Sequence, residues 1–192
     1  KVLNTSSDTK KIKMLKDSYR DKECYILTCG PGLKQYPPEL LREKLKDKLV
    51  IAVKQAYNYV PDIVDFHLFN SNNCEVYDYG ENRPIVLTCA AESELAMAHS
   101  VWSNKQDYDI FTFIEDDRDF SKSICKSLNF EEFTFENKLE RPWGPGMMSE
   151  VVVYLALHLG VKEINTIGWD LEEPGSTKSN HYYENRNVVR PA

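Results

Sequence analysis

The sequence predicts a doubly wound α/β fold built on a mainly parallel sheet. Two observations lead there. Short β-prone apolar runs recur along the chain, and helical patterns or long crossovers separate them rather than two-residue turns. Strands joined in that way pair in parallel. The turn-forming and polar clusters fall just after these runs, at the carboxyl ends of the strands, where open α/β sheets receive ligands. A chain of 192 residues with 42% apolar and 11% aromatic residues can bury a core and is not disordered wholesale.

The elements follow in order. Residues 1–22 are polar and lysine-rich with a brief apolar pattern at Ile12 and Leu15; they read as a solvated leader with at most one helix. Cys24–Cys29 is a buried strand closed by the tight turn Gly30-Pro31-Gly32-Leu33. Glu39–Lys48 alternates charges with leucines at helical spacing, an amphipathic helix. Leu49–Val53 is the second strand, and Ile63–Phe69 the third, ending in Asn70-Ser71-Asn72-Asn73. Arg83–Cys89 is a strand, Glu92–His99 a short helix, and Asp109–Ile114 a strand running into Glu115-Asp116-Asp117. Residues 118–142 show no period. Gly146–Gly160 is a helix with an apolar stripe, stopped by Gly160. Glu163–Gly168 is the last strand, and the chain beyond Asp170 is a polar loop. The expected organisation is a leader over 1–22, a nucleotide-sugar-binding domain over 23–170 and a lid over 171–192 that continues past the given sequence.

Charge narrows the function classes. With 24 basic and 30 acidic residues the net charge is -6. That disfavours nucleic acid or an anionic membrane as a general partner, since both need a basic footprint. A small anionic ligand needs only a few local donors. Cys24, Cys29, Cys74, Cys89 and Cys125 show no paired metal-ligand spacing, so they read as free thiols in a reducing compartment rather than a zinc set. No apolar run is long enough to span a bilayer, about 20 residues.

Four segments carry chemistry. Gly30, Pro31 and Gly32 let backbone approach a ligand closely after a buried strand, and the helix start that follows offers N–H groups to an anion. Asn70 and Asn72 bring amides that both donate and accept to a strand end. Arg141–Glu150, with Gly146 and Ser149, is a Gly/Pro-rich approach to a helix N-terminus, again suited to an anion. Asp170 ends a strand, and the loop beyond it holds His181, Tyr182, Tyr183 and Glu184. Histidine suits general-base work near neutral pH, and phenols suit phosphate oxygens. His67, His99 and His158, in a strand or on helices, read as structural. Glu115-Asp116-Asp117 and Asp117-Arg118-Asp119 could hold Mg²⁺ or Mn²⁺ against a diphosphate, though solvated acidic loops look the same.

In order, these islands resemble the bacterial sialyltransferases of glycosyltransferase family 42 and related transferases using CMP-activated acid sugars. Cys29-Gly30-Pro31-Gly32-Leu33-Lys34 is similar to that family's Asn-Gly-Pro-Ser-Leu-Lys turn. Leu159-Gly160-Val161-Lys162-Glu163-Ile164, then Gly168-Trp169-Asp170, is similar to its Leu-Gly-x-Lys-Glu-Ile-x-x-x-Gly-x-Asp. Phe69-Asn70-Ser71-Asn72 resembles an Asn-Pro-Asn segment, and Gln55 matches a glutamine after the second strand. The islands cover about half the chain.

The resemblance implies a Rossmann-like, glycosyltransferase A-type fold with a lid and no metal cofactor. It implies transfer of sialic acid, or Kdo for capsule or lipopolysaccharide, from a CMP-sugar to a glycan hydroxyl with inversion. Gly30, Pro31, Gly32, Gln55, Asn70, Asn72, Gly146 and Ser149 would bind the donor. His181 would deprotonate the acceptor, Tyr182 and Tyr183 would steady departing CMP, and Asp170 would complete the catalytic set. A cytoplasmic enzyme at the inner membrane face, held there by segments outside this sequence, and a homo-oligomer fit that picture. The sequence departs from the pattern at Cys29 and Gly32, at Lys54 where the family has Asn, and at Met148 where it has Ser. The family's His-Tyr-x-x-His places its base on Asn185, so His181 is either a substitute base or the base is absent. A second resemblance, to archaeal hydroxymethylpterin diphosphokinase-like proteins, implies transfer of diphosphate from ATP with Mg²⁺ on Asp116, Asp117 or Asp170. A non-catalytic nucleotide-sugar-binding module is the third alternative.

Overall fold

The computed structural model describes residues 7–70, 77–91, 108–114, 148–170 and 181–183. Among the described residues six strands form one sheet: β1 (Glu23–Leu27), β2 (Leu49–Val53), β3 (Phe66–Asn70), β4 (Ile85–Ala91), β5 (Ile110–Ile114) and β6 (Glu163–Ile167). Their spatial order is β5-β4-β3-β2-β1-β6, and every pairing is parallel. The predicted α/β class and parallel sheet are what the structure has. The chain builds outward from β1 through β2 to β5, then returns so that β6 lies on the other side of β1. The topological switch point is therefore the crevice between β1 and β6.

Alternation along the strands divides the core. Cys24, Ile26, Leu49, Ile51, Phe66 and Leu68 line one face. Leu27, Val50, Ala52 and Phe69 line the other. All five residues of β2 are buried, as expected for a strand covered on both sides. Helix α2 (Pro38–Leu45) seats Leu41 and Leu45 on the second face. Helix α3 (Met148–His158) seats Val151, Val152, Tyr154 and Leu155 on the first. It stops at Gly160 (φ +77°), where the N–H groups of Gly160 and Val161 return to the carbonyls of Leu157 and Ala156. This is the left-handed glycine cap that the sequence predicts.

The expectation of a solvated leader needs correction over residues 7–22. Helix α1 (Asp8–Leu15) starts at Ser7, whose side chain accepts from the Lys10 N–H, and it packs on the first face. Leu15 is 2% exposed. The buried His158 on α3 donates from Nε2 to the Ile12 carbonyl at 2.7 Å, tying the two helices together. Lysines dominate the composition here, but two apolar positions at helical spacing suffice to dock the segment. Other boundaries shift by a few residues. The third strand begins at Phe66 because Pro61–Ile63 forms a short 3-10 turn. The expected helix at Glu92–His99 lies outside the described residues.

At the amino ends of the strands a cleft of about 490 Å³ is lined by Arg42, Asp62, Asp65 and Arg83, among others. Both arginines are paired in place. Arg42 forms a two-pronged pair with Asp62 at 2.8 and 2.9 Å, and Arg83 pairs with Asp109 at 2.8 Å. Asp65 accepts from the Val50 N–H at 2.9 Å, and burial pushes its carboxyl up. These pairs sit at the amino ends of the sheet, while Gly30, Gly32, Gln55, Asn70 and Asp170 lie toward its carboxyl ends.

Candidate functional site

The β1–β6 ladder continues past both strands. The Thr28 N–H donates to Ile167 at 2.9 Å, and the Gly30 N–H donates to Gly168 at 2.8 Å. Gly168 has φ +76°, and a Cβ there would lie 2.5 Å from the Thr28 carbonyl, so the sharp exit from β6 requires glycine. Asp170 is thereby delivered against the first turn. There Pro31 opens a 3-10 turn (Pro31–Gln35). Pro31 has no N–H, so the next main-chain donor is that of Gly32, and it donates to Asp170 Oδ2 at 2.7 Å. A Cβ on Gly32 would sit 2.5 Å from Asp170 Oδ1, and one on Gly30 would collide with Asp170 Oδ2 and the Gly168 carbonyl.

The structure seats a residue of the chain itself on this turn. Gly30, Pro31 and Gly32 make a close-approach surface with an anion on it, but the anion is the protein's own carboxylate. Asp170 accordingly acts as an acceptor that fixes the turn.

The second junction involves the segment 181–183. The Tyr182 N–H donates to the Cys29 carbonyl at 2.7 Å, and the Tyr182 hydroxyl donates to the Gln55 carbonyl at 2.7 Å. Its ring meets Tyr59 edge-on at 5.4 Å. Tyr59 in turn donates to the Tyr36 carbonyl, beyond the first turn. Tyr182, expected at a departing phosphate, thus has its proton committed to a main-chain carbonyl and pins the segment over the ends of β1 and β2. Gln55, expected at the donor, contributes its backbone carbonyl to this pin, and its Oε1 lies 3.8 Å from Cys29 Sγ. His181 and Tyr183 flank the pin with their rings stacked 5.1 Å apart and 14° from parallel. Tyr183 is exposed and His181 half-buried.

The backbone of β3 brings Asn70 to the same end of the sheet. Ser149 is the second residue of α3. That helix ends beside the amino-terminal side of the sheet, where the Asp17 N–H donates to the His158 carbonyl, so Ser149 lies toward the carboxyl ends. Asn72, Gly146, Asp116 and Asp117 lie outside the described residues. Among those described, no group of three or more His, Cys, Asp or Glu side chains could hold a metal ion. None of the described helices is long and apolar enough to cross a membrane.

Sequence reasoning missed a buried polar chain behind this site. His67 is fully buried in β3 and packs among Tyr57, Phe69, Tyr77 and Tyr79. Its Nε2 lies 2.9 Å from the Lys54 carbonyl, which can only accept, so Nε2 carries the proton. Nδ1, 2.8 Å away, then accepts from the Tyr79 hydroxyl. Burial pushes the imidazole down to about 3 and the Tyr79 phenol up. Lys54 itself has φ +50°. The strand alternation could have placed His67 on the Phe69 face, but nothing in a lysine signals left-handed backbone.

Comparison with protein-family models and with curated proteins finds no match. Among solved structures, the chain is similar to a mammalian sialyltransferase in complex with Gal-beta-1-3GalNAc-ortho-nitrophenol. The identity is 10%, with 96% of this chain and 72% of that one covered, at a TM-score of 0.49. A second structure of a mammalian sialyltransferase gives 10% identity, 98% and 74% coverage, and a TM-score of 0.48. What the site can do is carried by its own residues.

Proposed function

We propose that this protein is a glycosyltransferase that moves an acidic sugar from a CMP-sugar donor to a glycan hydroxyl with inversion. The supporting observation is the pinning of His181-Tyr182-Tyr183 across the carboxyl ends of β1 and β2, beside the switch-point crevice that Asp170 and Gly32 close. An open parallel sheet takes its ligand there. The ordered resemblance of the first turn, the Asn70 segment and the Gly168-Trp169-Asp170 exit to CMP-sugar transferases supplies the chemistry.

In this reading the acceptor hydroxyl attacks the anomeric carbon as the bond to the CMP phosphate oxygen breaks. His181 takes the hydroxyl proton, and Tyr183 donates to the departing phosphate. CMP is already a good leaving group, so positioning and charge stabilisation do most of the work. Tyr182 holds the segment in place, and Asp170 holds the turn. Sialic acid and Kdo are the candidate sugars, and a glycan hydroxyl is the acceptor.

A thermal-shift series with CMP, UMP and AMP tests the nucleotide. CMP should raise Tm more than the other two; equal shifts would remove the cytidine assignment. CMP release from CMP-sialic acid and CMP-Kdo, with and without EDTA, tests the reaction. Metal-dependent AMP formation from ATP would point instead to diphosphate transfer, and tight nucleotide binding with no turnover to a binding module.

A further inference from the structure

Lys54 follows β2 directly and adopts a left-handed conformation (φ +50°), which side chains other than glycine, asparagine and aspartate rarely take. Both peptide planes that meet at its Cα are held. On one side the Val53 carbonyl accepts from Cys29 Sγ at 3.3 Å. On the other the Lys54 carbonyl accepts from the buried His67 Nε2–H at 2.9 Å, and Tyr79 fixes the far side of that ring. The next carbonyl along the chain belongs to Gln55, and it receives the Tyr182 hydroxyl. Fixing the plane between residues 54 and 55 leaves little beyond the dihedrals of Gln55 to aim that acceptor. A strained backbone persists only when its surroundings over-determine it, and such positions cluster at functional sites.

We propose that His67, backed by Tyr79, is a positioning residue that holds the left-handed turn at Lys54 and so aims the Gln55 carbonyl that pins the Tyr182 segment over the ends of β1 and β2. Its catalytic consequence rests on the transferase reading above, but the mechanical link does not. His67 is fully buried. It acts through two backbone carbonyls and one phenol, and Lys54 matters here for its φ rather than its ammonium.

Hydrogen exchange on the intact chain tests the link without needing a substrate. The Tyr182 amide is bonded to Cys29 and should exchange slowly in the wild type. In His67→Gln its exchange should rise about tenfold, while amides of β1 and β6 stay within about twofold. Lys54→Gly in the same background should restore protection to within about threefold of wild type, because glycine enters the left-handed region without being held there. A purely packing role for His67 would not be rescued by a change at residue 54. Unchanged Tyr182 exchange in His67→Gln, or no rescue by Lys54→Gly, would overturn the proposal.

If His67→Gln does not fold, Tyr79→Phe carries the same test. It removes the donor to Nδ1 and should raise Tyr182 exchange about threefold, again with rescue by Lys54→Gly; no rise or no rescue overturns the link. Where the exchange result holds and no sugar transfer is found, the transferase reading fails and the positioning device stands. Where transfer is found, His67→Gln should raise the donor KM more than it lowers kcat, and Lys54→Gly should reverse that split.

Discussion

The Tyr182 hydroxyl donates to the Gln55 carbonyl at 2.7 Å, joining residues 127 apart in the chain. Together with the Tyr182 N–H on Cys29, this bond makes one tyrosine the fastener between the last described segment and the ends of two central strands.

Tyr182→Phe keeps the ring against Tyr59 and removes only the donor. A hydrogen bond of this kind contributes about 1 kcal/mol. The fold should survive with Tm nearly unchanged, and the KM for the donor should rise about fivefold, the factor such a loss implies. Steady-state kinetics with the CMP-sugar would show it. A fall in kcat at constant KM would mean that Tyr182 acts on the leaving group after all.

Gly32→Ala forces a methyl against Asp170 and should cost about 1–3 kcal/mol in urea denaturation. Asp170→Ala removes the obstacle but strands the Gly32 N–H, a cost of about 1–3 kcal/mol. The double variant should be less destabilised than the sum, because the two residues meet. Additive values would mean that they act separately.

The buried imidazole of His67 makes stability depend on pH. Its folded value, about 3, lies below the 6.5 of an exposed histidine. Between those values the unfolded chain binds a proton that the folded chain does not. The neutral ring's contribution is therefore whole above pH 6.5 and is lost as pH falls toward 3, by about 1.4 kcal/mol per unit. Denaturation midpoints at pH 5 and pH 7 should converge in His67→Gln relative to wild type. Equal pH dependence in both proteins would contradict a neutral buried ring.

His181→Ala should lower transfer by about 10²- to 10⁴-fold, the usual worth of a general base, while CMP binding persists. Near-normal turnover would remove His181 from that role.

Leu15→Ala, within the segment that composition alone marks as solvated, should cost about 2–4 kcal/mol because the side chain is fully enclosed. A change below about 0.5 kcal/mol would return the segment to solvent.

Period and turn chemistry made much of the fold legible. The unbroken apolar run Leu49–Val53 marks a central strand, and Gly160 marks the end of α3. The carboxyl-end placement of Gly30 and Asp170 followed from the alternation of strands and crossovers, and Gln55 was marked by the family resemblance alone. What stayed hidden depends on contacts between distant residues. Nothing local tells that Asp170 lies on Gly32, that Tyr182 spends its proton on a main-chain carbonyl, or that His158 reaches Ile12. The lysines of residues 10–22 masked a docking helix because polar composition outweighs two apolar side chains in any count. Lys54 is the extreme case, since its backbone conformation is imposed by Cys29 and His67 rather than by its own preference.

The place of β6 beside β1 also bears on how the crevice comes into being. Gly32 and Asp170 are 138 residues apart, and β1 waits for a partner made near the end of the described chain. Contacts of such sequence separation form late and slowly, because the loop entropy is lost before the pairing rewards it. During synthesis β1 to β5 can associate while the edge of β1 that faces the crevice is still bare. The crevice is then the last part of the sheet to assemble, and a chain cut short of β6 would present an unpaired edge of β1 to its neighbours.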